Sequence, residues 1–105
     1  MADYTLFGDL TEEVEIPKDG ILSRTIHEDE KGRSILFGFS EGQELSEHTA
    51  SVPASVHILE GRIEMTLGEE DTVEMKKGSW VHMAPALRHS IKAQTPVILL
   101  LTMFK

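Results

Sequence analysis

The sequence predicts an all-β protein built as a small sandwich or barrel, and three observations carry that expectation. Apolar residues recur with a period of two in several short segments. Turns containing Gly, Pro or Asp interrupt those segments at short intervals. No apolar pattern with the helical period develops anywhere along the 105 residues.

The segments follow in order. Thr11-Glu12-Glu13-Val14 can cap only a short turn, because Pro17 and Gly20 follow closely. Residues 1–20 therefore read as an N-terminal extension or edge segment. Asp29 to Gly32 separates a strand over Ile21–His27 from one over Arg33–Ser40, in which Ile35, Phe37 and Phe39 alternate with their neighbours. Ile63, Met65 and Leu67 alternate with Arg62, Glu64 and Thr66 in the cleanest period of two in the chain. Val73 and Met75 continue the pattern beyond the Gly68 to Asp71 turn. Glu60-Gly61 reads as a two-residue hairpin turn that pairs Leu59 with Arg62, Ile58 with Ile63 and His57 with Glu64. That pairing puts Ala54, Val56 and Ile58 on the barrel's inner face and His57 outside. Val97 to Leu101, followed by Met103 and Phe104, is apolar on both faces. It reads either as a central strand of one subunit or as a strand whose outer face is covered by a second copy of the chain. The expectation is a homodimer, because one small barrel has little with which to cover both faces.

Composition narrows the function. Ten Lys plus Arg against 18 Asp plus Glu give a formal charge of −8, with an isoelectric point near 5.0. Nucleic-acid binding needs clustered positive charge, so no nucleic-acid partner is expected, and anionic membrane surfaces would repel the chain. No apolar run approaches the roughly 20 residues that a membrane span requires. The Met-Ala-Asp-Tyr start carries no basic-then-apolar leader, so the expected location is cytoplasmic. The absence of Cys removes disulfides and thiolate metal sites. The five histidines, His27, His48, His57, His82 and His89, are then the only nitrogen donors for a transition metal.

Two segments resemble a known family. Gly42 to His48, continuing to Leu59-Glu60-Gly61, is similar to the first motif of the cupins, with Gly42, His48 and Gly61 at the motif's spacing. Gly78-Ser-Trp-Val-His-Met-Ala84-Pro85-Ala-Leu-Arg-His89 is similar to the second. The first motif spans 42–61 and the second 78–92, within one cupin-like domain over 1–105. The resemblance implies a small antiparallel jelly-roll β-barrel, often dimeric. It also implies a metal site, which the family builds from three histidines and a glutamate. Here the second-histidine position is Ala50 and the glutamate position Ala54. In the second motif Ala84 stands at the proline position, with Pro85 one place later, Ala86 at the inner glycine position and Ala93 at the asparagine position. His48 and His89 are left as the metal residues, and Zn, Ni, Fe or Mn are all compatible with imidazole plus water. His57 and His82 are candidates to complete the set, while His27, beside Glu28, Asp29 and Glu30, reads as a solvated turn residue.

The expected function is a stand-alone cupin-like domain that binds a small molecule at a His48/His89 site inside the barrel, through a weakly held divalent metal. The alternative is a metal-dependent enzyme of oxygenase or isomerase type, or one in which a histidine serves as general acid–base. Phe37, Phe39, Met65 and Trp80 or its neighbours are the expected lining of the pocket.

Overall fold

The structure is a computed structural model that describes residues 3–48 and 50–105; the side chains of Glu47 and His48 lie outside that description. Among the described residues the helical content is one 3-10 turn, Leu10–Glu12, capped by the Asp9 carboxylate, which accepts from the Thr11 amide at 3.0 Å. The strands are β1 (Ile21–Asp29), β2 (Gly32–Phe39), β3 (Glu44–His48), β4 (Ala54–Glu60), β5 (Arg62–Leu67), β6 (Asp71–Lys76), β7 (Trp80–Met83), β8 (His89–Ala93) and β9 (Val97–Phe104). They form a five-stranded sheet in the order β1-β2-β9-β4-β7 and a four-stranded sheet in the order β3-β8-β5-β6. Every ladder is antiparallel. The all-β jelly-roll class read from the sequence is the class observed.

The two sheets face each other across one core. Phe39, Val56, Ile58, Met83, Val97 and Leu99 come from the larger sheet, and Ile63, Met65, Met75, Ile91 and Ala93 from the smaller. These are the inward members of the period-two rows, so alternation alone selects them. Removing such side chains from water stabilises the fold by roughly 1.5–3 kcal/mol for each large one.

The Glu60-Gly61 hairpin is not formed. β4 pairs with β7 and β9, and β5 pairs with β6 and β8, so Ile58 lies beside Leu99 and Ile63 beside Ala93. Gly61 is the corner at which the chain leaves one sheet for the other. It has φ +84°, and a Cβ there would fall on the Pro96 carbonyl oxygen and the Thr95 hydroxyl. The glycine serves this close backbone approach, a long-range need that a local turn pattern does not reveal. The inner set Ala54, Val56 and Ile58 nevertheless holds, because parity along one strand does not depend on which strand pairs with it.

β9 is the central strand of the larger sheet, between β2 and β4. Val97, Leu99, Leu101 and Met103 belong to or pack on the inter-sheet core, which leaves Ile98, Leu100, Thr102 and Phe104 on the outer face. Part of that outer face is covered from within the chain. A Cβ at Gly38 would fall on the Glu15 carbonyl oxygen, and Arg24 donates to the Glu13 carboxylate at 2.7 Å, so the segment before β1 lies against β1 and β2. Leu36 and Ile98 are accordingly buried although they lie outside the inter-sheet core.

Candidate functional site

His89 opens β8 and is 5% exposed. Its row on the smaller sheet continues through Ile91 and Ala93, both core residues, and its ladder partner on β5 is Leu67. The ring is anchored: Nδ1 lies 3.0 Å from the Leu87 carbonyl oxygen. A carbonyl can only accept, so Nδ1 carries the proton in this contact. Histidine ligands of metals are commonly held this way, with one nitrogen fixed by a carbonyl and the other presented to the ion.

His48 is the ladder partner of His89 on the opposite side, at the end of β3. A register shift makes this pairing. Glu44 faces Lys92 and Leu45 faces Ile91, and strict pairing from there would bring Glu47 opposite His89. One additional residue between Leu45 and His48 brings His48 there instead. The expectation that the His48 side chain enters the barrel lies outside the described residues.

Between the sheets, beside His89, is a cavity of about 20 Å³ lined by Phe37, Phe39, Leu45, Val56, Ile91, Leu99 and Leu101. That is room for one water-sized group. Phe37, Leu45 and Leu101 are only partly buried, so the cavity approaches the surface on their side. Phe37 and Phe39 are lining residues as the sequence suggests. Met65 is fully buried in the core, and Trp80 is 62% exposed on the outer face, so Trp80 lines nothing inside. Its neighbour Val81 packs inward, as does Met83 on the same strand.

The other histidines lie elsewhere. His57 is opposite Trp80 on β7 and Leu100 on β9, on the outer face of the larger sheet. His82 is exposed, stacked on Trp80 with ring centroids 6.1 Å apart and tilted against Phe104 at 5.7 Å. Neither shares a sheet with His89. His27 is exposed and lies 2.9 Å from the Asp29 carboxylate, but it is a residue of β1, paired with Ser34 beside a register shift, and not the turn residue expected. The His27 contact, then the Lys31 amide, holds the Asp29 pKa below the usual carboxylate value. Among the described residues no group of three or more His, Asp or Glu is placed to hold a metal. The chain also lacks, among those residues, a helix long and apolar enough to cross a membrane.

Comparison with known proteins gives a consistent picture. No protein-family model matches the chain, and no curated protein matches it. Solved structures do. A conserved protein of unknown function from Streptococcus pyogenes is 30% identical, covers 99% of this chain and 90% of its own, and superposes with a TM-score of 0.86. A cupin superfamily protein from Desulfitobacterium hafniense shares the fold at 17% identity, over 99% of this chain and 93% of its own, with a TM-score of 0.86. The chain has the cupin fold. An RmlC-like cupin from Desulfovibrio desulfuricans, 22% identical over 99% of this chain and 96% of its own, also superposes, with a TM-score of 0.79.

Within this fold the donors fit a divalent ion only in part. His89 offers an oriented imidazole nitrogen, while positions 50 and 54 carry alanine, which has no donor. Sequence reasoning located His89 through the motif and missed the Leu87 carbonyl, because a backbone acceptor leaves no residue-type signal.

Proposed function

We propose that this chain binds a small molecule at the inner end of the cavity beside His89, through a divalent ion held by His48 and His89. The observation that carries the reading is the register of β3 and β8. It sets the chain's two motif histidines opposite each other, next to a cavity, with the His89 ring anchored by the Leu87 carbonyl. When bound, such an ion supplies a Lewis acid with coordination positions open to water or a ligand oxygen, since two imidazoles leave most of its shell unfilled. The chain's own residues do the rest. His89 presents Nε2, Leu87 keeps the ring from rotating, and Phe37, Phe39 and Leu101 keep bulk water away. The room beside His89 suits one small polar end group, such as a carboxylate or carbonyl, with the apolar remainder of the ligand toward Phe37 and Leu45.

The same reading includes a homodimer formed through the sheet that contains β9. Its outer row exposes Phe104 and half-buries Leu100, and soluble chains usually cover such apolar strand surfaces.

Calorimetric titration of untagged protein with Zn2+, Ni2+, Fe2+ and Mn2+ tests the site. One ion per chain is expected, with affinity lowered at least roughly tenfold in His89→Ala and in His48→Ala. Absence of binding, or binding unchanged in both variants, would overturn it.

A further inference from the structure

The segment before β1 covers only part of the larger sheet's outer face, over β1 and β2. The other part is open at β7 and at the end of β9, while Ser55 is buried and His57 and Leu100 are half-buried. There β4 contributes Ser55 and His57, β7 contributes Trp80 and His82, and β9 contributes Leu100 and Phe104. Trp80 is 62% and Phe104 40% exposed, and His82 lies between them, in contact with both rings.

This surface is nearly free of charge. In a chain with 28 charged side chains, β4, β7 and β9 together carry one, Glu60 at the end of β4. Groups on neighbouring elements are engaged elsewhere: Lys105 pairs with Glu28 at 3.1 Å, and Glu13 of the covering segment pairs with Arg24. A molecule with net charge −8 repels its own copies everywhere except at such a neutral face. A second copy is therefore the occupant the surface fits: two such faces meet without opposing carboxylates, related by a two-fold axis.

We propose that this surface is where two copies meet, and that His57 and His82 make the contact acid-labile. The inference rests on the homodimer reading above. Each copy brings two imidazoles to a face whose register neighbours are Ser55, Trp80, Leu100, Thr102 and Phe104, none of which can balance a proton. Protonation would place four positive charges in one seam to which β4, β7 and β9 bring a single carboxylate per copy, Glu60, at its edge beside Ile98. The direction is diagnostic. Acidification toward the isoelectric point near 5.0 reduces overall repulsion and by itself strengthens association. Dissociation on acidification therefore requires a local cause.

Sedimentation velocity from about pH 8 to about pH 5.5 spans the histidine range and tests both parts. The wild type should be a dimer at the upper value, with its dissociation constant raised roughly tenfold or more at the lower. Trp80→Asp, at an exposed position that leaves the core untouched, should be a folded monomer throughout. A His57→Gln, His82→Gln double variant should stay dimeric across the range. A monomeric wild type at the upper pH overturns the homodimer reading and this proposal together. A Trp80→Asp variant that remains dimeric overturns the choice of surface alone. A wild type that does not weaken on acidification, or a double variant that weakens equally, overturns the role of the histidines.

Discussion

Position 86 holds an alanine in a shape that suits glycine. Ala86 has φ +67°, the one non-glycine residue with positive φ among the described residues, and its amide donates to the Ala50 carbonyl at 2.8 Å. The left-handed region costs an L-residue about 1–2 kcal/mol. Glycine would relieve that strain but add about 0.4–1 kcal/mol of unfolded-state entropy. Ala86→Gly should then stabilise the fold by about 0.5–1 kcal/mol, read as a melting temperature raised by about 4 °C. A lowered melting temperature would show that the alanine methyl makes packing contacts worth more than the strain. The cupin resemblance puts a glycine at this position, so the backbone shape was legible from the sequence even though the residue that needs it is absent. His89 was legible in the same way. Its Leu87 anchor was not, because any residue type can supply a carbonyl.

Strand β3 depends on one extra residue. Its bulge decides whether Glu47 or His48 is the partner of His89, and strand periodicity cannot show it because a bulge changes parity without a residue signature. Inserting one glycine after Leu45, with the bulge kept, should bring the Glu47 carboxylate opposite His89. The variant should lose Ni2+ affinity by more than it loses Mn2+ affinity, since oxygen donors favour the harder ion. Competitive titration of the two metals measures this; an unchanged preference would mean that the ladder absorbs the added residue in a wider bulge and keeps His48 opposite His89. The Gly61 corner went unread for a related reason. Glu-Gly between apolar segments is the local signature of a hairpin, whereas what demands glycine is the Pro96 carbonyl, far away in sequence. The inner rows were legible because burial imposes a period of two on each strand by itself. Strand partners were not, because they are set by the path of the whole chain.

For the molecule as a whole, the outer face of the larger sheet is divided between an internal cover and an open part, and Gly38 is the point where the cover seats. Replacing it with Val would push side-chain atoms into the Glu15 backbone, lift the segment before β1 and expose Leu36 and Ile98. Both sheets should persist, with stability reduced by about 1–3 kcal/mol in a denaturant melt. Protease cleavage should become selective for residues 3–19. Uniform cleavage, or no change, would show that the segment is held by other contacts. Composition gave no hint of this role, since residues 3–19 resemble an ordinary acidic loop.

The central position of β9 also fixes an order of events during synthesis. Both of its neighbours, β2 and β4, precede it in the chain. At roughly 5–20 residues per second, the ribosome needs several seconds between finishing β2 and beginning β9. Until then β2 and β4 each present an unpaired apolar edge, and the nascent chain is exposed to wrong partners. The β1–β2 hairpin and the β5–β6 hairpin can form early from adjacent sequence, but the larger sheet cannot join its two halves before Val97 to Phe104 has emerged. The acidic residues in the turns and on the outer strand faces act in that interval: before any core exists, their repulsion keeps neighbouring nascent chains apart.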